Sequence, residues 1–169
     1  MKIRIIVASC NNNGIGIKNK LPWSIKEELE FFKNTTIGNG NNAVIMGRKT
    51  FESLPKILEK RDNLILTKSP PANTLDKEQY FTSIEEVVNH CNLKNYETVW
   101  VIGGADIYKQ FISKNFACEI YQTRIFNNYE CDSFFPEIPI FYNLKEIKNI
   151  KNIDPKIAKL IIWEHRLII

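Results

Sequence analysis

Long apolar runs are missing from this chain of 169 residues. Nothing approaches the ~18 consecutive apolar residues that a bilayer-spanning helix needs, so no membrane span is expected. The segment MKIRIIVASC opens with charge and then turns apolar, but residues 5–8 are too short a run for a secretory leader, and none is expected. Histidine is scarce: His90 and His165 are the whole supply. Neither neighbours a plausible nucleophile, which argues against Ser–His–acid chemistry and leaves both to structural or surface roles. Cysteine is limited to Cys10, Cys91, Cys118 and Cys131, with no C-x-x-C and no histidine at metal-ligand spacing, so no metal is expected. Four thiols would serve a secreted protein as two disulfides, but a chain of this size holds a core without them. Reduced thiols and a cytoplasmic setting are the expectation. Clustered basic charge is also absent. The net charge is +4, with scattered lysine and arginine and no basic stretch interleaved with aromatics. That suits small anionic ligands at least as well as nucleic acid. There are no repeats, no low-complexity segment and no linker, so residues 1–169 read as one domain.

What the chain does have is alternation of strand and helix patterns. Strands are expected at residues 2–10, 43–47, 63–67, 98–102 and 119–126, with a short one at 80–81. Helices are expected at residues 25–35, 49–54, 83–91 (capped by Thr82 or Ser83) and 106–113. Residues 11–21, 38–42 and the Pro70–Pro71 region read as loops and turns. Two further strands, about 142–150 and 158–168, close the chain. Alternation up to residue 115 followed by strands predicts a largely parallel sheet, helices on both faces and a C-terminal antiparallel hairpin.

Four stretches carry chemistry. In LPWSIKEELEFFK, Ser24 and Glu27 form a capping box, which starts the helix at Ser24. Helical spacing then puts Ile25, Glu28, Leu29 and Phe32 on one stripe, with Glu28 the single acid among apolar neighbours. A first-turn acid at the edge of the stripe, favoured by the helix dipole, accounts for it; so does a carboxylate lining a cleft and facing N–H donors. In VWVIGGADIY, a strand ends in Gly103-Gly104 before a helix, the arrangement of a pyrophosphate cradle and equally of a tight turn. In VIMGRKTFES, Arg48 and Lys49 follow a strand end, placed for a phosphate or simply solvated. The loop NNNGIGIKNKLPW has the glycines of a lid. The dinucleotide fingerprint of doubly wound folds is absent: Gly14-Ile15-Gly16 has no third glycine and no acid at the required distance.

In order and spacing, GIGIKNKLPW, the acid five residues after Trp23, MGRKTFESLP, KRDNLIL, VIGGADIY, YQTRI and CDSFFPEI resemble the dihydrofolate reductase family over nearly the whole chain. The resemblance implies a central eight-stranded mostly parallel sheet, NADPH as hydride donor and 7,8-dihydrofolate as acceptor. Glu28 matches the family's acid in the pterin pocket, supported by Thr123 through its hydroxyl and by Trp23 through an ordered water. Val7, Ala8, Leu29, Phe32, Ser53, Leu54, Leu58, Ile102 and Tyr108 would line the rest of the substrate site, and Arg61 would hold the α-carboxylate of the glutamate tail. For the cofactor, Gly103, Gly104, Ala105, Asp106 and Ile107 would cradle the pyrophosphate. Arg48, Lys49 and Lys68 would hold the 2′-phosphate, and Thr50 would cap the helix at the phosphates. Ile15, Gly16 and Asn19 would belong to the lid, with Ala8, Gly47, Leu66, Thr67, Ile102 and Tyr108 completing the site. Antifolates of the diaminopyrimidine and methotrexate types are implied as inhibitors, and a monomer as the assembly. Departures are few: Glu rather than Asp as the acid, Ala105 after the glycine pair, Lys60 before Arg61, and a small insertion at residues 38–42. A reductase of riboflavin synthesis would share the cofactor site, but Glu28, Arg61 and Thr123 together argue against it. A non-catalytic folate- or nucleotide-binding protein is the alternative of a different class. A fusion to thymidylate synthase is known in protozoan members; a stand-alone enzyme or a cleanly cut domain is favoured here.

Overall fold

The computed structural model describes residues 1–73 and 78–167. In chain order its elements are β1 (Lys2–Ser9), β2 (Gly14–Gly16), α1 (Lys26–Ile37), β3 (Asn42–Gly47), α2 (Arg48–Ser53), β4 (Asp62–Leu66) and β5 (Glu78–Phe81). They continue with α3 (Ile84–Lys94), β6 (Thr98–Gly103), α4 (Ala105–Ser113), β7 (Glu119–Ile125), β8 (Ser133–Phe134), β9 (Tyr142–Lys148) and β10 (Ala158–His165). Eight strands form one sheet in the order β5-β4-β3-β6-β1-β7-β10-β9, and β2 pairs with β8 in a separate ribbon. Pairings from β5 across to β7 are parallel, while β10 runs antiparallel to both β7 and β9. This is the dihydrofolate reductase-like sheet with its C-terminal hairpin.

The two-residue period of the strands sorts their side chains into two layers. Ile3, Ile5, Val7, Ala43, Ile45, Val99 and Val101 pack with Val87 and Cys91 of α3 and Phe111 and Ile112 of α4. On the opposite face Ile6, Val44, Met46, Ile65 and Trp100 meet Phe31 and Phe32 of α1 and Phe51 of α2. Near-continuous apolar strands such as NAVIMG are therefore read by both layers at once. A third cluster, built around Cys10, Trp23, Ile125, Leu160 and Ile162, closes the sheet beneath the β1–α1 connection.

The structure departs from the sequence expectation at three places. The Ser24–Glu27 capping box does not form: α1 begins at Lys26, its cap is Ile25 with extended backbone, and no side chain caps it. Trp23 and Ile25 both pack into the third cluster, and burying residues two apart calls for an extended chain, which delays the helix. The residue 11–21 loop contains β2 and a tight reversal, with Ile17 and Lys20 exchanging two hydrogen bonds of 2.9 Å around Lys18 and Asn19, both at positive φ. Finally, β9 stops at Lys148 and β10 at His165; the expected end of the last strand, residue 168, lies outside the described residues. The cap of α3 is Ser83, which accepts from Glu86 N–H at 3.1 Å.

Candidate active site

A cleft of about 1010 Å³ opens at the carboxyl ends of β1, β3, β4 and β6. The parallel strands deliver Val7 and Ala8, Gly47, Leu66, and Ile102 to its floor. The connections that follow supply Arg48, Lys49 and Thr50, then Thr67 and Lys68, then Gly104, Ala105, Asp106 and Ile107. From α1 come Glu28, Leu29 and Phe32, and from the residue 11–21 connection Ile15, Gly16 and Asn19. Ser53, Leu54 and Tyr108 are the other lining residues that sequence reasoning placed here.

Glu28 decides the character of the cleft. It is 5% exposed, in the first turn of α1. Among the described residues it forms no side-chain hydrogen bond, and burial pushes its carboxyl from 4.5 up to about 7. The expected bond from Thr123 is not made: Thr123 Oγ1 is buried without a partner. Thr123 lies on β7 in register with Ala8 of the cleft floor. The indole N–H of Trp23 is also buried and unpartnered. Neither Trp23 nor Thr123 lines the cleft wall itself.

At the other end, the cleft meets two helix N-termini. The caps of α2 and α4 are Gly47 and Gly104, and neither helix has a side-chain cap, which leaves first-turn N–H groups to whatever enters. Thr50 is thus the third residue of α2 rather than its cap; a Cβ on Gly104 would come within 3.5 Å of its hydroxyl. Gly103 sits just behind the lining at φ +120°, a conformation that suits glycine, with its peptide to Gly104 cis. The chemistry of this end is amide N–H plus the cations of Arg48, Lys49 and Lys68, a donor set that fits the phosphates of a dinucleotide. Arg48 is partly engaged, 3.0 Å from Glu52.

Besides Thr123, two expected substrate residues stand outside the cleft wall, Arg61 and Leu58. Arg61 donates to Thr36 Oγ1 at 2.7 Å and to Glu59 O at 2.9 Å. Thr36 in turn donates to Phe32 O at 2.8 Å, so Arg61 sits one helical turn beyond the cleft residue Phe32. Leu58 packs in the Phe32 layer, fixed by reciprocal bonds with the Asn63 amide. Sequence reasoning missed Ile6, Lys20, Leu21, Ser69, Asp132 and Ser133, all in the lining. Lys20 and Leu21 lie inside the lid stretch that was singled out, and Ile6 and Ser69 adjoin named site residues. Asp132 and Ser133 arrive only through the β2–β8 ribbon, where Lys18 N–H donates to Asp132 Oδ2 and Asp132 N–H to Gly16 O, both at 3.0 Å. The histidines lie elsewhere: His90 against Phe81 and His165 between Phe141 and Tyr142.

A family model for dihydrofolate reductase matches residues 2–159. The chain belongs to the dihydrofolate reductase family. Curated relatives carrying that name agree. The Aedes albopictus protein is 39% identical over 160 residues, covering 88% of this chain and 85% of its own. The Drosophila melanogaster protein is 34% identical over 148 residues, covering 82% and 81%. The Staphylococcus haemolyticus protein is 37% identical over 153 residues, covering 90% and 87%. The match in family and sheet accounts for a buried acid on α1 facing two uncapped helix ends across one cleft. Among the described residues no helix is long and apolar enough to cross a membrane.

Proposed function

We propose that this protein reduces 7,8-dihydrofolate to 5,6,7,8-tetrahydrofolate with NADPH, supporting one-carbon metabolism and thymidylate synthesis. Glu28 carries the reading: a carboxyl buried among apolar side chains, in a cleft with room for two ligands, seeks N–H donors. The pterin ring N–H and 2-amino group supply two in parallel, and they fix the ring's orientation. Leu29 and Phe32 form the wall on which the ring and benzoyl group pack. Thr123 and Trp23 each hold a buried polar atom with no protein partner; their roles are a hydroxyl donated to the Glu28 carboxylate and an ordered water held beside it. Arg61, kept in place by Thr36, takes the α-carboxylate of the tail at the open end of the cleft.

NADPH, when bound, supplies the hydride that reaches C6 of the pterin. The residues that hold it are the amides of Gly104 to Ile107 at the α4 end and Arg48, Lys49 and Lys68 at its 2′-phosphate. Ile15, Gly16 and Asn19, which line the cleft, would cover the reacting rings and exclude water. Glu28 favours the protonated pterin electrostatically, and N5 receives its proton from water. We place the whole of residues 1–169 in one such domain, acting as a cytoplasmic monomer with no nucleic acid or membrane partner. Diaminopyrimidine and methotrexate-type antifolates, cationic beside Glu28, are its expected inhibitors.

The test is Glu28→Gln. Its turnover of dihydrofolate at neutral pH is expected to fall strongly while its thermal shift with NADPH persists. Wild-type turnover in this variant removes Glu28 from the mechanism.

A further inference from the structure

Two of the four free cysteines, 121 positions apart in sequence, meet at the base of the loop that covers the cleft. Cys10 follows β1 and is fully buried; Cys131 precedes Asp132 and is half-buried. Both pack in the third cluster, the Cys10 thiol beside the Cys131 thiol. Cys10 Sγ also donates to Asn12 Oδ1 at 2.8 Å, and Gly14 N–H donates to the same oxygen at 3.0 Å. A Cβ on Gly14 would run into Cys131 Sγ, so the second sulfur rests directly on that glycine. Both sulfurs therefore lie against the Asn12–Gly14 turn.

The two loops that carry them are laced together. Asn11 N–H donates to Asn127 O at 3.0 Å and Phe135 N–H to Asn13 O at 2.8 Å. The Arg124 guanidinium bridges Asn13 Oδ1 and Asn11 O, each at 2.7 Å. The other two thiols are placed differently: Cys91 is buried in α3, and Cys118 donates to Ile3 O at 3.2 Å.

We propose that Cys10 and Cys131 form a dithiol modification site, which a low-molecular-weight disulfide converts to an intramolecular disulfide that restrains the covering loop. Cys131, the more accessible thiol, loses its proton and attacks the reagent's S–S bond, releasing one thiolate and leaving a mixed disulfide. Cys10 then loses its proton, attacks the Cys131 sulfur and releases the second thiolate. Two protein thiols are oxidised and one reagent disulfide is reduced to two thiols. The new bond ties the end of β1 to the residue beside Asp132, whose contacts with Gly16 and Lys18 hold the loop. Burial and the adjacent thiol raise the Cys131 thiol, which makes the first attack slow.

The experiment treats the full chain with oxidised glutathione, counts free thiols, maps linked peptides by mass spectrometry, and follows trypsin cleavage after the exposed Lys18 and Lys20. The expected result is loss of two of the four thiols, a Cys10–Cys131 peptide link, slower cleavage at both lysines, and full reversal by dithiothreitol. Cys131→Ser should abolish the link and the protection, and Cys118→Ser should keep both. Because Cys10 is buried, the Cys131 variant is the decisive one. A glutathione adduct that stays on Cys131, a link through Cys91 or Cys118, or unchanged cleavage despite oxidation overturns the proposal. None of these readouts depends on dihydrofolate turnover.

Discussion

Glu28 and Glu119 are both buried carboxyls, at 5% exposure each, and the fold treats them in opposite ways. For Glu119, burial pushes the carboxyl up, but Lys145 and Arg4, the latter at 2.6 Å, outweigh it and hold it below its ordinary value. Glu28 has burial alone and rises to about 7. The two therefore pull stability in opposite directions with pH. The folded state binds the Glu28 proton more tightly than the unfolded chain, so its contribution is fully present below pH 4.5 and is lost as pH rises through about 7. The loss amounts to about 3 kcal/mol across that window. The ligand-free Glu28→Gln protein is expected to gain stability over wild type between pH 5 and pH 8, measured by thermal unfolding. A difference that stays flat across this range shows that Glu28 is solvated. For Glu119 the stabilisation is present above the ordinary carboxylate value and is lost on acidification below it. Glu119→Ala, which leaves Arg4 half-buried over the Trp100 and Tyr121 rings, is expected to destabilise by about 3 kcal/mol at pH 7. Denaturant unfolding checks it, and a change within experimental error contradicts the pairing.

Helix α1 links a residue to an effect through its end rather than its face. Thr36 is fully buried and passes the helix's position to Arg61 through one charge-assisted hydrogen bond. Thr36→Val is expected to raise KM for dihydrofolate roughly tenfold, the worth of such a bond, with kcat unchanged and a tail-less pteridine unaffected. Equal loss on both substrates places Arg61 away from the tail. At α2, Arg48→Ala should narrow the preference for NADPH over NADH; an unchanged ratio moves the 2′-phosphate to Lys49 or Lys68. The same elements show what the sequence could reveal. The strands AVIMG and TVWVI and the Gly103-Gly104 turn were legible because apolar composition and glycine speak locally. The start of α1 was not: Ser24 and Glu27 satisfy a local rule that the burial of Trp23 and Ile25 overrides. The β2–β8 ribbon was invisible, since strands of three and two residues show no period and pair across a long sequence separation. With it went the place of Asp132 and Ser133 in the cleft, although CDSFFPEI was itself part of the resemblance. Thr123 shows the same limit at the site, where the resemblance points to a residue but does not tell that its hydroxyl is buried without a partner.

Across the molecule, charge and fold act on the same cleft. The net charge is +4, and Lys20, Arg48, Lys49 and Lys68 converge on the cleft, which favours the approach of an anionic cofactor and substrate. The parallel part of the sheet aligns four strand ends and two helix N-termini there, and α1 brings the buried Glu28 carboxyl against them. Hydride transfer to a dihydropterin at that combination of groups is the central claim. The direct measurement is the loss of NADPH absorbance with and without dihydrofolate, repeated with a diaminopyrimidine antifolate. Oxidation that needs dihydrofolate and is blocked by the antifolate is the predicted result. Absence of oxidation by folded protein that still gains thermal stability with NADPH would leave the cofactor end standing and contradict the pterin assignment of Glu28.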